Sequence, residues 1–159
     1  MKCTASLFLF VFLFLSFCCQ SSGQVNNLSK HRAHALRGVK RIYVGSFGDG
    51  KSAKLFRASV IAALVHDGHF AVVNNDDNAL ANAVLEGLVD DNGAYFARLL
   101  DVYKNIIWSW TYSKTPAASP TMDDLDKQAD AFVKKLHETW EACKNEKDSQ
   151  TGNCLNTAK

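Results

Sequence analysis

The residues Gly45-Ser-Phe-Gly-Asp-Gly50-Lys51-Ser52 match the phosphate-binding pattern G-x-x-x-x-G-K-[ST] in full. In such a loop the backbone amides cradle phosphate oxygens, here between Gly45 and Gly50. Lys51 would reach the outer phosphates and Ser52 would hold a magnesium ion. A second cluster, His66-Asp67-Gly68-His69, brings imidazole and carboxylate together, but no third ligand stands at a recognisable metal spacing, so no metal site is expected. The pairs Asp76-Asp77 and Asp90-Asp91 sit in turn-like contexts where Asp caps backbone amides. There is no Gly-x-Ser-x-Gly elbow and no cysteine in a nucleophile signature, so no catalytic residue and no cofactor are assigned.

The elements around the phosphate-like loop decide how far its chemistry can be carried. The chain has 159 residues, 47% hydrophobic and 21% charged, which excludes a disordered or collagen-like chain. Its first 23 residues begin with Lys2, continue through the apolar run Leu7 to Leu15, and end in Gln20-Ser-Ser-Gly23, the layout of a secretory signal peptide. The uncharged stretch Ala5 to Cys19 is shorter than the roughly 20 residues of a membrane-spanning helix. Leu15-Ser-Phe-Cys18 also approaches a lipobox, with Cys18 or Cys19 as the lipidated residue, although Phe17 stands where a small residue belongs. Both readings export the chain, to the periplasm or the exterior, with an outer-membrane lipid anchor in the second.

Cleavage after Gly23 leaves 136 residues, one domain's worth, and removal of Lys2 lowers the formal charge from +2 to +1. Nucleic acid is not an expected partner of so neutral a domain. Residues 24–38 read as a polar, basic linker carrying Lys30, His31, Arg32, His34 and Arg37, a segment that could also approach an anionic polymer or lipid surface.

The domain proper is expected over 39–143. Val39 to Ser46 reads as a strand, and Lys51 to Asp67 as a helix with Leu55, Ala58, Ile61, Ala62 and Val65 inward, ended by Gly68. Phe56 and Val60 fall outside that stripe. His69 to Asn74 reads as a second strand, and Asn75, Asp76 or Asp77 as the cap of a helix to Glu86, closed by Gly87. Ala94 to Asp101 and Ile106 to Tyr112 form a hairpin, with Trp108 and Trp110 on one face and Ser109 and Thr111 on the other. Thr121-Met-Asp-Asp124 resembles a capping box before a long amphipathic helix with Leu125, Ala129, Phe132, Val133, Leu136 and Trp140 inward.

The resulting fold class is α/β, a small mixed sheet in β-α-β-α-β-β-α order covered by helices that include the long C-terminal one. A polar tail, 144–159, follows. In an oxidising compartment Cys143 and Cys154 can close a disulfide that folds this tail onto the last helix; two free thiols are the alternative.

Three points weigh against a nucleotide at 45–52. The acidic partner such a site needs, Asp101, lies on a hairpin strand, only two strands are linked by helical crossovers, and export removes the chain from ATP and GTP.

Several segments together carry a family resemblance: Arg41-Ile-Tyr-Val-Gly-Ser-Phe47, Leu64-Val-His-Asp-Gly-His-Phe-Ala-Val-Val73, Asn78 to Gly87, and Ile107-Trp-Ser109. The chain resembles the CsgG-like, LpoB-like and TolB amino-terminal-like domains of bacterial envelopes over about Val39 to Trp140, with Asn82 where those domains usually carry Asp. The resemblance implies a non-enzymatic domain that binds envelope proteins and assists the assembly or regulation of envelope machinery, as a homo-oligomer or with other chains. Membrane contact would then come only through a lipid anchor. Phe56, Val60, Trp108, Trp110 and Tyr112 are the candidate contact residues, with core packing as their other reading. A phosphate- or nucleotide-binding protein using Gly45, Gly50, Lys51 and Ser52 is the alternative function.

Overall fold

A computed structural model describes residues 22–74, 80–90, 94–113 and 121–158. The apolar leader with Cys18 and Cys19, the expected cap at Asn75 to Asp77 and the proline loop 114–120 lie outside the described residues. No helix among the described residues is long and apolar enough to cross a membrane.

The elements run α1 (Ser22–Arg37), β1 (Arg41–Val44), α2 (Lys51–Asp67), β2 (Ala71–Val73), β3 (Ala83–Val89), β4 (Ala94–Asp101), β5 (Ile106–Ser113), α3 (Met122–Lys144), α4 (Glu146–Thr151) and a 3-10 helix (Asn153–Ala158). The sheet order is β2-β1-β3-β4-β5; β1 pairs in parallel with β2 and β3, and the remaining pairs are antiparallel. The fold class is the expected one, a mixed α/β sheet with a long terminal helix.

Two segments depart from expectation. Residues 83–89 form the central strand of the sheet, where a helix closed by Gly87 was expected. Ala83, Leu85 and Val89 are buried while Val84 and Glu86 are half-buried and Leu88 is exposed, the two-residue alternation of a strand. Gly87 sits inside that strand because a Cβ there would strike the Phe96 carbonyl and approach the Phe47 ring at 2.8 Å. The basic segment 24–38 is likewise no linker but most of α1, whose Ala33 and Leu36 are fully buried. Its contacts run to α3, α4 and β5.

Helix α2 ends as expected, with Gly68 in the left-handed conformation (φ 72°) and its amide donating to the Leu64 carbonyl. Its buried face is rotated from the expected stripe. Ala53, Phe56, Ser59, Val60, Ala63 and Leu64 face inward, and Ala58, Ala62 and Val65 are exposed. The Phe56 ring is the largest apolar group available, and it turns the helix to bury itself.

Helix α3 has the expected start and apolar stripe, except that Trp140 is half-buried and Thr139 is buried beside the stripe. Thr121 and Asp124 exchange capping hydrogen bonds, and Leu125, Ala129, Phe132, Val133 and Leu136 line its buried side. At its end Cys143 and Cys154 are disulfide-bonded, with Cα atoms 5.2 Å apart. The bond holds the tail against α1, where Gly152 (φ +73°) leaves no room for a Cβ beside Ser29.

The β4–β5 turn is organised by Asp101. Its carboxylate accepts from the Tyr103 amide at 2.9 Å, the Asn105 amide at 2.8 Å and Asn105 Nδ2 at 3.0 Å, while Lys104 takes the left-handed conformation (φ 64°). Burial pushes this carboxyl up, but the donors from Asn105 and Tyr103 outweigh it and hold the group below the usual carboxylate range. A depressed carboxyl stabilises the fold above its unfolded value, and that stabilisation is lost as pH falls through the folded one. Asp101→Ala is therefore expected to lower stability by about 1–2 kcal/mol at neutral pH. The gap to wild type should narrow below about pH 4. Urea denaturation at the two pH values checks this, and an unchanged gap would assign the effect to packing.

Candidate functional site

The phosphate-like loop stands where its mechanism requires, between β1 and α2, with Gly50 as the N-cap of the helix. Its backbone is largely committed elsewhere. Gly45 N donates to Leu85 O at 2.7 Å, while Ser46 O and Phe47 O accept from the amides of Gly87 and Val89 at 3.0 Å, so the first half of the loop extends β1 along β3. Gly48 N donates to Ser46 Oγ at 3.0 Å. Phe47 points into the core, fully buried and edge-on to Phe56 at 5.3 Å. Arg57 reaches from α2 to donate to the Val44 and Gly45 carbonyls at 2.7 and 2.9 Å. Lys51 is exposed and Ser52 half-buried at the helix start. Asp101 pairs with Ala83, at the end of the sheet where β1 begins, whereas Leu85 to Val89 flank the loop. The structure thus places the loop and its expected acidic partner at opposite ends of the sheet.

The aromatic candidates are mostly interior. Phe56 and Val60 are fully buried and Trp108 nearly so, which corrects their assignment to a contact surface. Trp108 Nε1 donates to Thr139 Oγ1 at 3.3 Å, and its ring meets Phe132 at 5.4 Å. Trp110 and Tyr112 are half-buried, stacked on one another at 5.8 Å, and share the helix-covered face with Trp108. The expected alternation holds: Ser109 and Thr111 are exposed.

That helix-covered face is closed by α2 and α3, through contacts such as Phe56 with Tyr95 and Trp110 with Phe132. The opposite face carries the exposed side chains Leu88 (56%), Phe96 (38%) and Ile106 (41%) beside the Arg98–Glu86 ion pair, whose bonds are 2.6 and 2.8 Å. Helix α1 borders this face, and between them runs a groove lined by Leu28, His31 and Arg32 on one side and Phe96, Lys104, Ile106 and Ser109 on the other. A second concavity, over Tyr43, Val84, Glu86, Arg98 and Leu100, joins it at Lys104 and Ile106. The groove is apolar along its floor and cationic along its rim, and the buried Arg32 Nε has no hydrogen-bond acceptor among the described residues. Its walls come from residues some seventy positions apart, so no local pattern in the sequence reveals it.

Also missed was a third partner for Asp67 and His69. His137, on α3, places Nδ1 2.9 Å from Asp67 Oδ1, and His69 Nδ1 lies 3.3 Å from Asp67 Oδ2. The two imidazole rings are 3.5 Å apart. His66, the other histidine of the sequence cluster, is exposed and takes no part in this group. His137 was detectable only as a polar residue beside the inward stripe of α3.

Asn82 Oδ1 accepts from the amides of Lys40 and Arg41 at 3.1 and 2.9 Å, and its Nδ2 donates to Gly38 O at 2.8 Å. The last bond needs an amide and could not be made by an aspartate. The position staples the α1–β1 connection to the start of β3.

No protein-family model matches the chain, and no curated protein matches it. Among solved structures it is similar to a PelC dodecamer from Paraburkholderia phytofirmans, at 16% identity and a TM-score of 0.44, over 63% of this chain and 89% of that one.

Proposed function

We propose that the chain is an exported, non-enzymatic protein-interaction domain of the cell envelope, and that it binds through the groove between α1 and the open face of the sheet. The observation that carries the reading is the asymmetry of the sheet. One face is sealed by two helices, and the other keeps Leu88, Phe96 and Ile106 in solvent beside a cationic rim. Apolar exposure bordered by charge is the usual character of a protein-binding surface. The rim of Arg32 and Lys104 selects an acidic segment that also offers apolar side chains. Export is supported by the apolar leader and by the Cys143–Cys154 disulfide, a bond that persists in oxidising compartments. The resemblance to CsgG-like, LpoB-like and TolB amino-terminal-like domains points to envelope machinery as the partner class, with self-association as the other form.

In this reading the loop 45–52 is a structural turn that seats Phe47, and Lys51 has no ligand. Phe96→Asp combined with Ile106→Asp is expected to abolish partner capture from the envelope or extracellular fraction of the producing organism. Lys104→Gly, which suits the left-handed backbone at that turn, should weaken capture while leaving the fold intact. An unchanged set of captured proteins would dismiss this surface. Calorimetric binding of Mg-ATP or Mg-GTP that disappears in Lys51→Ala would instead establish the phosphate-binding alternative.

A further inference from the structure

We infer that Asp67, His69 and His137 form a binding site for a divalent transition-metal ion of the zinc class. Each offers one donor atom, and the three donors lie within 4.8 Å of one another. Imidazole nitrogen with carboxylate oxygen is a donor set that suits zinc, copper or nickel and is a poor one for calcium or magnesium. Ligands around a tetrahedral zinc ion, bound at about 2.0–2.2 Å, stand about 3.3 Å from each other. His69 Nδ1 lies 3.3 Å from Asp67 Oδ2 and His137 Nδ1 2.9 Å from Asp67 Oδ1, so each imidazole already stands at about this separation from one oxygen of the carboxylate.

Three local features favour an ion over a plain hydrogen-bonded corner. Asp67 Oδ2 is buried yet accepts no hydrogen bond, and an ion would take His69 Nδ1 in the tautomer that carries its proton on Nε2, replacing the 3.1 Å contact of Nδ1 with the Asp67 backbone carbonyl. His137 presents Nδ1 to Asp67 and Nε2 to Glu141 Oε1 at 3.6 Å. Placing the imidazole proton on Nε2 leaves Nδ1 free for a metal and gives the outer nitrogen a carboxylate, the arrangement that orients metal-bound histidines. The backbone also fixes the first two ligands: left-handed Gly68 ends α2 and turns the chain so that His69 comes back beside Asp67. His69 keeps 40% of its side chain in solvent, so a fourth coordination position opens outward, to water or to a donor from a partner. The ion would tie the α2–β2 corner to α3. The inference is independent of the groove.

The test uses the tag-free mature chain with its disulfide intact. Zinc is titrated by calorimetry, and cobalt by the visible bands that report its geometry. One ion per chain is expected, with cobalt bands of a four- or five-coordinate site. Affinity should fall about 100-fold or more in His137→Gln and in His69→Gln, and roughly 10-fold in Glu141→Gln. His66→Gln is the control and should bind as wild type does. His69 is half in solvent, so its variant folds even if loss of His137 disturbs α3. Absence of stoichiometric binding overturns the inference, as does binding that survives both histidine substitutions or binding that is lost with His66.

Discussion

Phe56→Ala is expected to lower the unfolding free energy by about 4 kcal/mol, the range of a large aromatic removed from a closed core. The ring is fully buried where α2 crosses the sheet, edge-on to Phe47 at 5.3 Å and tilted against Tyr95 at 4.9 Å. Its neighbours cannot collapse into the space. Phe47 is held by a loop whose backbone is bonded to β3, and Tyr95 belongs to β4, in the interior of the sheet. The denaturant midpoint should fall without a change in slope. A loss below about 1 kcal/mol would mean that Phe56 is a surface residue after all.

Gly87→Ala is expected to cost about 3 kcal/mol, although it adds a single methyl group to a strand. The new Cβ would press on the Phe96 carbonyl of the neighbouring strand and on two carbons of the Phe47 ring at 2.8 Å. A ring can move, but a backbone carbonyl within the β3–β4 ladder cannot move without breaking the pairing of Gly87 with Ala97 and of Leu88 with Phe96. Trimming Phe47 to leucine in the same chain should therefore recover only part of the loss. Full recovery would show that the ring alone sets the requirement for glycine. The measurement is equilibrium unfolding of the two single variants and the double variant.

The same glycine marks the limit of what local sequence conveys. Asn78 to Glu86 is rich in Ala and Leu and reads as a helix, yet three registered partners on β1 and seven on β4 make the segment from Ala83 onward a strand. Pairing across the sheet overrides helix propensity worth only tenths of a kcal/mol per residue. Helix α1 was hidden for the opposite reason. Its basic composition masks the two apolar residues, Ala33 and Leu36, that bury it. Helix α3, by contrast, is legible in its cap and nearly all of its stripe, because a capping box and a regular apolar spacing agree from Leu125 to Leu136. The disulfide was legible because only two cysteines lie beyond the leader. The groove and the His137 contact were not, since each joins residues that only the tertiary fold brings together.

The phosphate-like motif illustrates the same point in reverse. Its spacing is complete and its strand–loop–helix setting is present, but spacing does not reveal where the third residue points. Here that residue is Phe47, and its burial draws the loop onto the sheet. The same spacing here also seats an aromatic ring in the core.

In the proposed reading, the chain engages its partner through the open sheet face. The most direct measurement is site-specific photo-crosslinking in the producing organism, with the reactive group placed at exposed Ser109 in the groove or at exposed Glu138 on α3. A discrete adduct is expected from Ser109, lost when Phe96 and Ile106 are changed to aspartate, and none from Glu138. Adducts of equal yield from both positions, or an adduct from Glu138 alone, would contradict this reading.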